Sequence, residues 1–382
     1  MKLELTQDQR AMVQTVRDLA QEKFKGRVHR WQDGTFPFDN IKELAEIGVL
    51  GMAVPEALGG IGADAVSYAL ALMEIAAGDG AVSTMMSVHN APFCAILARH
   101  ATPAQQDRWL RPAAQGAYVG AFALTEPQAG SDAGALRSRA RRDGNGYVLD
   151  GEKQFITSAR ICGAMIAFAA TDPATGKRGL SAFCIPAGAP GLMIGAPERK
   201  MGQRASDTCA VRFSGVRIGE DHRIGAEGQG LSIALSALET GRIGIAAQSV
   251  GMAQAALAVA TGYAQDRMTF GKPIGQHQAV AFRLADMDVQ VEAARQLVLN
   301  AARVKDAGQP CLREASIAKL FASEMAERVV SAAIQTLGGY GYLEDFPLER
   351  IARDVRVCQI YEGTSDVQRI NISRALLGEG RR

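Results

Sequence analysis

The chain has 382 residues, with 42 Lys+Arg against 40 Asp+Glu, 47% hydrophobic and 21% charged residues. One hydrophobic core does not organise that length, so two or three domains are expected, and the apolar share excludes global disorder. A formal charge of +2 argues against nucleic acid as the main partner, because neutralising phosphates needs a surplus of Lys and Arg.

Residues 1–119 read as an N-terminal α domain. Met1 to Phe24 is polar and periodic, unlike a secretory signal. Thr6-Gln7-Asp8-Gln9 has the pattern of a capping box, and Met12, Val13, Val16, Leu19, Ala20 and Phe24 follow at helical spacing. A second helix is predicted over Ile41 to Ile47, ended by Gly48. Tyr68 to Ala77 and Ala91 to His100 also read as helices, and Thr102-Pro103 opens another.

Residues 120–230 change character, to short strands and turns. Arg139–Arg142 and Tyr147–Leu149 flank Asp143-Gly144-Asn145-Gly146, a hairpin signal, and Asp150-Gly151 reads as a further turn. Met165–Ala170, Leu180–Ile185, Gly191–Ile194 and Cys209–Phe213 are strand-sized, which suggests an antiparallel β-barrel or sandwich. Residues 231–382 return to Ala-rich helical runs over Leu231–Gln265, Gln276–Lys305 and Leu312–Leu337. A shorter run at Ser365–Leu377 completes a four-helix bundle. The fold class is thus α+β multidomain, in the order α, β, α. No uninterrupted apolar stretch approaches the ~20 residues of a membrane span. The six cysteines lack CxxC spacing, which reads as free thiols in a reducing cytoplasm.

Several familiar catalytic motifs do not occur in the sequence. Gly60 to Ala65 has a loose GxGxxA spacing but no strand–helix unit around it. The chain has no P-loop, GxSxG elbow or HExxH, and its five histidines form no i,i+4 pair. Nucleophilic and metal-dependent hydrolysis are disfavoured, and no metal site is expected.

Four constellations remain. Phe122 to Asp132 (FALTEPQAGSD) runs from a strand into a loop rich in hydroxyls and backbone donors. Gly151 to Ser158 (GEKQFITS) sets Phe155 and Thr157 on one strand face. Arg267 to Lys272 (RMTFGK) combines cations, a hydroxyl and glycine, a set able to hold phosphate. Ile360 to Asp366 (IYEGTSD) carries an acid beside Gly-Thr-Ser, after an apolar run that favours its burial.

In this order the four segments, over nearly the whole chain, resemble the acyl-CoA dehydrogenase family of flavoproteins. The resemblance implies FAD, an acyl-CoA substrate, a homotetramer (a dimer of dimers) and reoxidation by electron-transfer flavoprotein. It assigns Glu362 as the base that removes the substrate α-proton while a β-hydride passes to flavin N5. One branch of the family carries its base in the helix of Arg242 instead, where this chain has Gly241, so Glu362 is selected. FAD contacts are assigned to Phe122, Leu124, Thr125, Ser131, Phe155, Thr157, Arg267, Thr269, Phe270, Gln278, Gln335, Gly338, Gly339, Thr364 and Asp366. Substrate contacts fall to Ser131, Glu239, Arg242, Tyr361 and Gly363, and apolar Ile360 and Tyr361 are expected to help exclude water from the base. Gln128, Phe155 and Glu239 depart from the usual Gly, Trp and Asp. Met85 to Asn90, Arg204 to Thr208 and Gly241 to Ala246 resemble members acting on short or short branched acyl groups, as in fatty-acid β-oxidation or branched-chain amino-acid breakdown. The alternatives are an acyl-CoA oxidase, whose usual extra C-terminal domain does not fit this length, and a flavin-binding scaffold without catalysis.

Overall fold

A computed structural model describes residues 5–378. The Thr6 capping box forms as expected: Thr6 accepts from the Gln9 backbone N–H, and the Gln9 side chain accepts from that of Thr6. Helices follow over Gln7–Leu19, Phe38–Glu46 and Ala65–Gly78, and Gly48 takes a left-handed φ of +76°. The predicted Ala91–His100 helix starts earlier, at Gly80, where the Asp79 carboxylate caps the Ala81 and Val82 N–H groups. It runs to His100 through a π-turn holding Pro92. The wider turn accommodates a proline that an α-helix interior disfavours.

The middle region is one eight-stranded sheet. Its strands are β1 (Val119–Ala123), β2 (Arg139–Asp143), β3 (Gly146–Thr157), β4 (Cys162–Ala170), β5 (Leu180–Pro186), β6 (Leu192–Pro197), β7 (Thr208–Gly219) and β8 (Arg223–Ile224). The spatial order is β6-β7-β3-β2-β4-β5-β8, with β1 added against β4. Most pairs are antiparallel. β1 lies parallel to β4, and β2 touches β4 in parallel at Arg139. The β2–β3 hairpin fills the long connection that a parallel pair requires. Asp150-Gly151 is a bulge inside β3 rather than a turn. A Cβ at 151 would crowd Ser138, so only glycine lets β3 pass there.

The apolar run in β4 is explained by burial of both faces. Ala164, Ile166 and Phe168 share a core with Phe93, Trp109 and Ile233 from the helices. Met165, Ala167 and Ala169 pack with Tyr147, Val211 and Phe213 inside the sheet. The remaining core joins the first helices to the last ones: Val16, Leu72 and Met73 cluster with Ile243, Val250, Val298 and Val329.

The four bundle helices are Gly230–Asp266, Gln278–Asp306, Leu312–Leu337 and Ser365–Leu377. Gly230–Asp266 and the continuous Gly80–His100 run are long and apolar enough to cross a membrane by length and composition, which counting uninterrupted apolar residues did not reveal. Both are mostly buried inside the fold. Gly251 lets the former approach the Ala65–Gly78 helix closely, since a Cβ there would overlap the Met73 carbonyl.

Candidate active site

Glu362 sits in a bend between the short helical turn Arg356–Gln359 and the Ser365–Leu377 helix. Its φ is +51° and that of Gly363 is +91°. A non-glycine residue in that region is uncommon and costs about 1–3 kcal/mol unless its surroundings hold it there. Both carboxylate oxygens are buried, and neither has a hydrogen-bond partner. Burial pushes the Glu362 pKa up to about 7, against the opposing charges of Lys319 and Arg242.

Position 241 explains where the carboxylate fits. A Cβ on Gly241 would overlap Glu362 Oε2 and stand 2.8 Å from Cδ, so the carboxylate occupies the space of a missing side chain. Several helices close around it. Arg242 is buried beside it, with Nε unpartnered, and burial lowers its pKa against the pull of Glu362 and Glu239. The buried Tyr68 and Ser87 hydroxyls, also without partners, face the same helix near Gly244. Lys319 Nζ donates to the Gly363 carbonyl at 2.6 Å, and Gln368 Nε2 donates to it at 2.8 Å. Glu239 accepts from Cys311 Sγ at 3.0 Å.

Tyr361 joins a hydrogen-bond network. Its hydroxyl donates to Gln248 Oε1 at 2.9 Å and lies 3.1 Å from Thr84 Oγ1. Thr84 donates to Gln203 Oε1 at 2.6 Å and accepts from Gln248 Nε2 at 2.6 Å. The Gln203 backbone N–H is bound by the Asp354 carboxylate, which also pairs with Arg350. Helix, sheet-region loop and bundle thus meet beside Glu362. Ile360, expected to help exclude water, is 53% exposed and does not.

The motifs Phe122 to Asp132 and Gly151 to Ser158 are brought together. The Gln154 N–H donates to the Thr125 carbonyl at 2.9 Å. Buried Lys153 donates to the Leu124 carbonyl at 3.2 Å and to Glu126 Oε1 at 2.8 Å. Burial opposes ionisation of Glu126, but the Lys153 charge and the N–H groups of Arg137 and Ser138 prevail and hold it well below the usual carboxylate range. Phe122 packs edge-on against Phe168, and Leu124 is buried. Phe155 has a φ of +59° at a register shift in β3 and is 63% exposed, with Thr157 partly exposed beyond it. Ser131 lies exposed in the loop after β1.

A second group gathers elsewhere. Arg267, Thr269, Gln335, Gly338 and Gly339 line a pocket of about 600 Å³ made wholly by the bundle region. Phe270 beside it is 97% exposed, and Gln278 is exposed at the start of its helix. Thr364 caps the last helix by accepting from the Val367 N–H at 3.3 Å, and Asp366 pairs with Arg369. The neighbouring Ser365 hydroxyl is buried without a partner.

The donor set suits a flavin dinucleotide. A Cβ at Gly338 or Gly339 would meet no heavy atom within 4 Å, so the backbone there is open to a phosphate. An exposed aromatic, flanking hydroxyls and the Arg267 guanidinium complete it.

Comparison with known proteins decides the family. Models of the acyl-CoA dehydrogenase N-terminal, middle and C-terminal domains match residues 6–117, 121–216 and 228–377. The chain belongs to the acyl-CoA dehydrogenase family. It is 42% identical to the short-chain specific acyl-CoA dehydrogenase, mitochondrial, of Bos taurus, over 98% of this chain and 91% of that protein. The butyryl-CoA dehydrogenase structure from Megasphaera elsdenii superposes with a TM-score of 0.97 at 39% identity, covering 99% of this chain and 100% of that one. A chain from a structure described as an electron transferring flavoprotein of Acidaminococcus fermentans gives 0.97 at 40% identity, again over 99% and 100%. The protein is therefore an FAD-dependent oxidoreductase of acyl-CoA thioesters.

Lys319, Thr84, Gln203, Gln248 and Tyr68 do not stand out in the sequence, whereas Ser87 falls within the Met85 to Asn90 segment. Each is an ordinary helix or loop residue locally. Only Lys319 leaves a faint trace, as a cation within the otherwise small and apolar stretch Ala315-Ser316-Ile317-Ala318-Lys319-Leu320.

Proposed function

We propose that the protein dehydrogenates a short-chain or short branched-chain acyl-CoA, of roughly four to six acyl carbons, to the trans-2-enoyl-CoA. In this reading Glu362 is the α-proton base. The observation that carries it is the buried, partnerless carboxylate lying against Gly241. An α-proton is only weakly acidic, and a carboxylate stripped of water and hydrogen bonds is a stronger base than an exposed one. The strained bend holds the carboxylate in place, so little reorganisation is needed at the moment of transfer. The Glu362 backbone N–H is the chain's own donor to the thioester oxygen, where enolate charge develops. Arg242 supplies a cation for CoA, and Ser131, Glu239, Tyr361 and Gly363 line the substrate. Bound FAD supplies the acceptor for the β-hydride.

Leu72, Tyr68 and Ser87 crowd position 244 on the helix beside the base, which supports a short acyl chain. The exposed Phe270, Phe282, Val289, Leu376 and Leu377 support burial of the bundle surface in a homotetramer. The likeness to the Acidaminococcus fermentans chain supports electron-transfer flavoprotein as acceptor. Six free, buried cysteines support a reducing compartment such as the cytoplasm.

The test is anaerobic titration of the yellow holoprotein with butyryl-CoA and longer or branched acyl-CoAs. Short substrates should bleach the flavin. Glu362→Gln should keep its FAD and lose orders of magnitude in bleaching rate. Near-normal turnover by that variant would refute the assignment.

A further inference from the structure

Two lysines in the described chain are completely buried, and they are treated differently. Lys153 is matched by the Glu126 carboxylate at 2.8 Å. Lys319 has no carboxylate at salt-bridge distance, and its ammonium is bound to a backbone carbonyl, that of Gly363, at 2.6 Å. A buried cation without an ion-pair partner is costly, and an apolar residue of similar shape would fill the space more cheaply. Its one hydrogen-bonded partner is the residue that follows Glu362, in a bend with two consecutive left-handed residues.

We propose that Lys319 is the positioning residue of the base: it pins the strained Glu362-Gly363 bend through the Gly363 carbonyl and brings a positive charge to the surroundings of the Glu362 carboxylate. The inference rests on Glu362 acting as the base. The first half follows from geometry, and the second from the place of the Lys319 ammonium among the charges acting on Glu362, although burial lowers the lysine's own pKa to about 8. The bend runs between a helical turn and the last helix, and its carbonyl is held from two sides, by Lys319 and by the neutral Gln368 amide. Only Lys319 brings charge. The charged or titratable groups facing Glu362 are Lys319 from the Leu312–Leu337 helix, Arg242 from the Gly230–Asp266 helix and Tyr68 from the Ala65–Gly78 helix. Those facing Lys319 are Cys358, Glu362 and Arg242. Burial drives the Glu362 pKa up, and Lys319 is the foremost group restraining it. Without that restraint the carboxyl would hold its proton to higher pH and be unavailable as a base near neutrality.

The experiment is the pH profile of kcat and kcat/KM with butyryl-CoA on FAD-loaded Lys319→Met and Gln368→Met, with Glu362→Gln alongside. Lys319→Met should lower kcat more than it changes KM and move the acid limb up by roughly one pH unit, about a tenfold loss on the acidic side. Gln368→Met should lower kcat modestly and leave the limb in place, because it removes a hydrogen bond without charge. An unmoved limb and unchanged kcat in Lys319→Met overturn the proposal. If that variant does not fold, Lys319→Arg, which keeps the charge but displaces the donor, should lower kcat without moving the limb, and an unchanged kcat overturns it. Turnover by Glu362→Gln would refute the base itself, whereas an inactive Glu362→Gln with an unaltered Lys319→Met rejects only the role of Lys319.

Discussion

The surroundings of Glu362 and those of the pocket lined by Arg267 and Gly338 are built on opposite plans. Around Glu362 the chain closes on itself: the carboxylate is buried, its neighbours come from three helices, and one side chain is deleted at Gly241 to make room. Around Arg267, Phe270, Gln335 and Gly338 the surface is open, and Phe270 touches little of its own chain. A base needs its dry environment ready before substrate arrives. A large dinucleotide brings its own surface and buries what it covers.

The contrast can be broken most forcefully at Gly241. Gly241→Ala puts a methyl group where Glu362 Oε2 lies. The obstacle is the end of a flexible side chain, so the fold should survive and the base should be displaced. We expect a rate loss of about 100-fold or more, or some 3 kcal/mol of transition-state stabilisation, with FAD content and melting temperature near wild type. Stopped-flow flavin bleaching measures the first and thermal unfolding the second. A variant as fast as wild type would mean that the carboxylate is not held in that space.

A smaller effect tests the cost of a closed pocket. The Glu362 pKa is raised from 4.5 to about 7 by burial. The stability tied to its neutral form is complete below pH 4.5 and is lost as the pH rises through 7, because unfolding then frees the carboxyl to ionise. At pH 8 that difference amounts to about 3 kcal/mol. Glu362→Gln, which stays neutral, should therefore be more stable than wild type at pH 8, with the gain vanishing near pH 4. Denaturant melts across that range decide it, and a gain independent of pH would remove burial as the cause.

The smallest effect belongs to the open side. Phe270→Ala should change the stability of the isolated chain by no more than about 0.5 kcal/mol. It should reduce FAD retention as the protein is diluted, followed by gel filtration with flavin absorbance. Retention equal to wild type would show that the open surface does not depend on Phe270.

Local patterns are readable wherever the chain's physics is local. The Thr6 capping box, the Gly48 helix end, the hairpin at Gly144 and the four bundle helices all follow from neighbours a few residues apart. The Asp150-Gly151 pair misleads because the same residues suit a turn and a bulge, and the choice is made by Ser138 across the strand. Glu362 is legible through its motif. Its supporting cast is not, because a buried Lys319 or Gln248 has the same letters as a solvated one. What distinguishes them is a partner far along the chain.

That separation has a consequence for how the enzyme comes into being. Thr84 and Tyr361 are 277 residues apart, and Thr84 and Gln203 are 119 apart. Contacts between such distant segments close large loops and form late in folding. The hydrogen bonds that hold the chain beside Glu362 therefore exist only once the first helices, the sheet region and the bundle have docked. A partly folded chain, or a fragment lacking any one of the three, has the glutamate but not its buried setting, so the base proposed here is assembled only by completion of the fold.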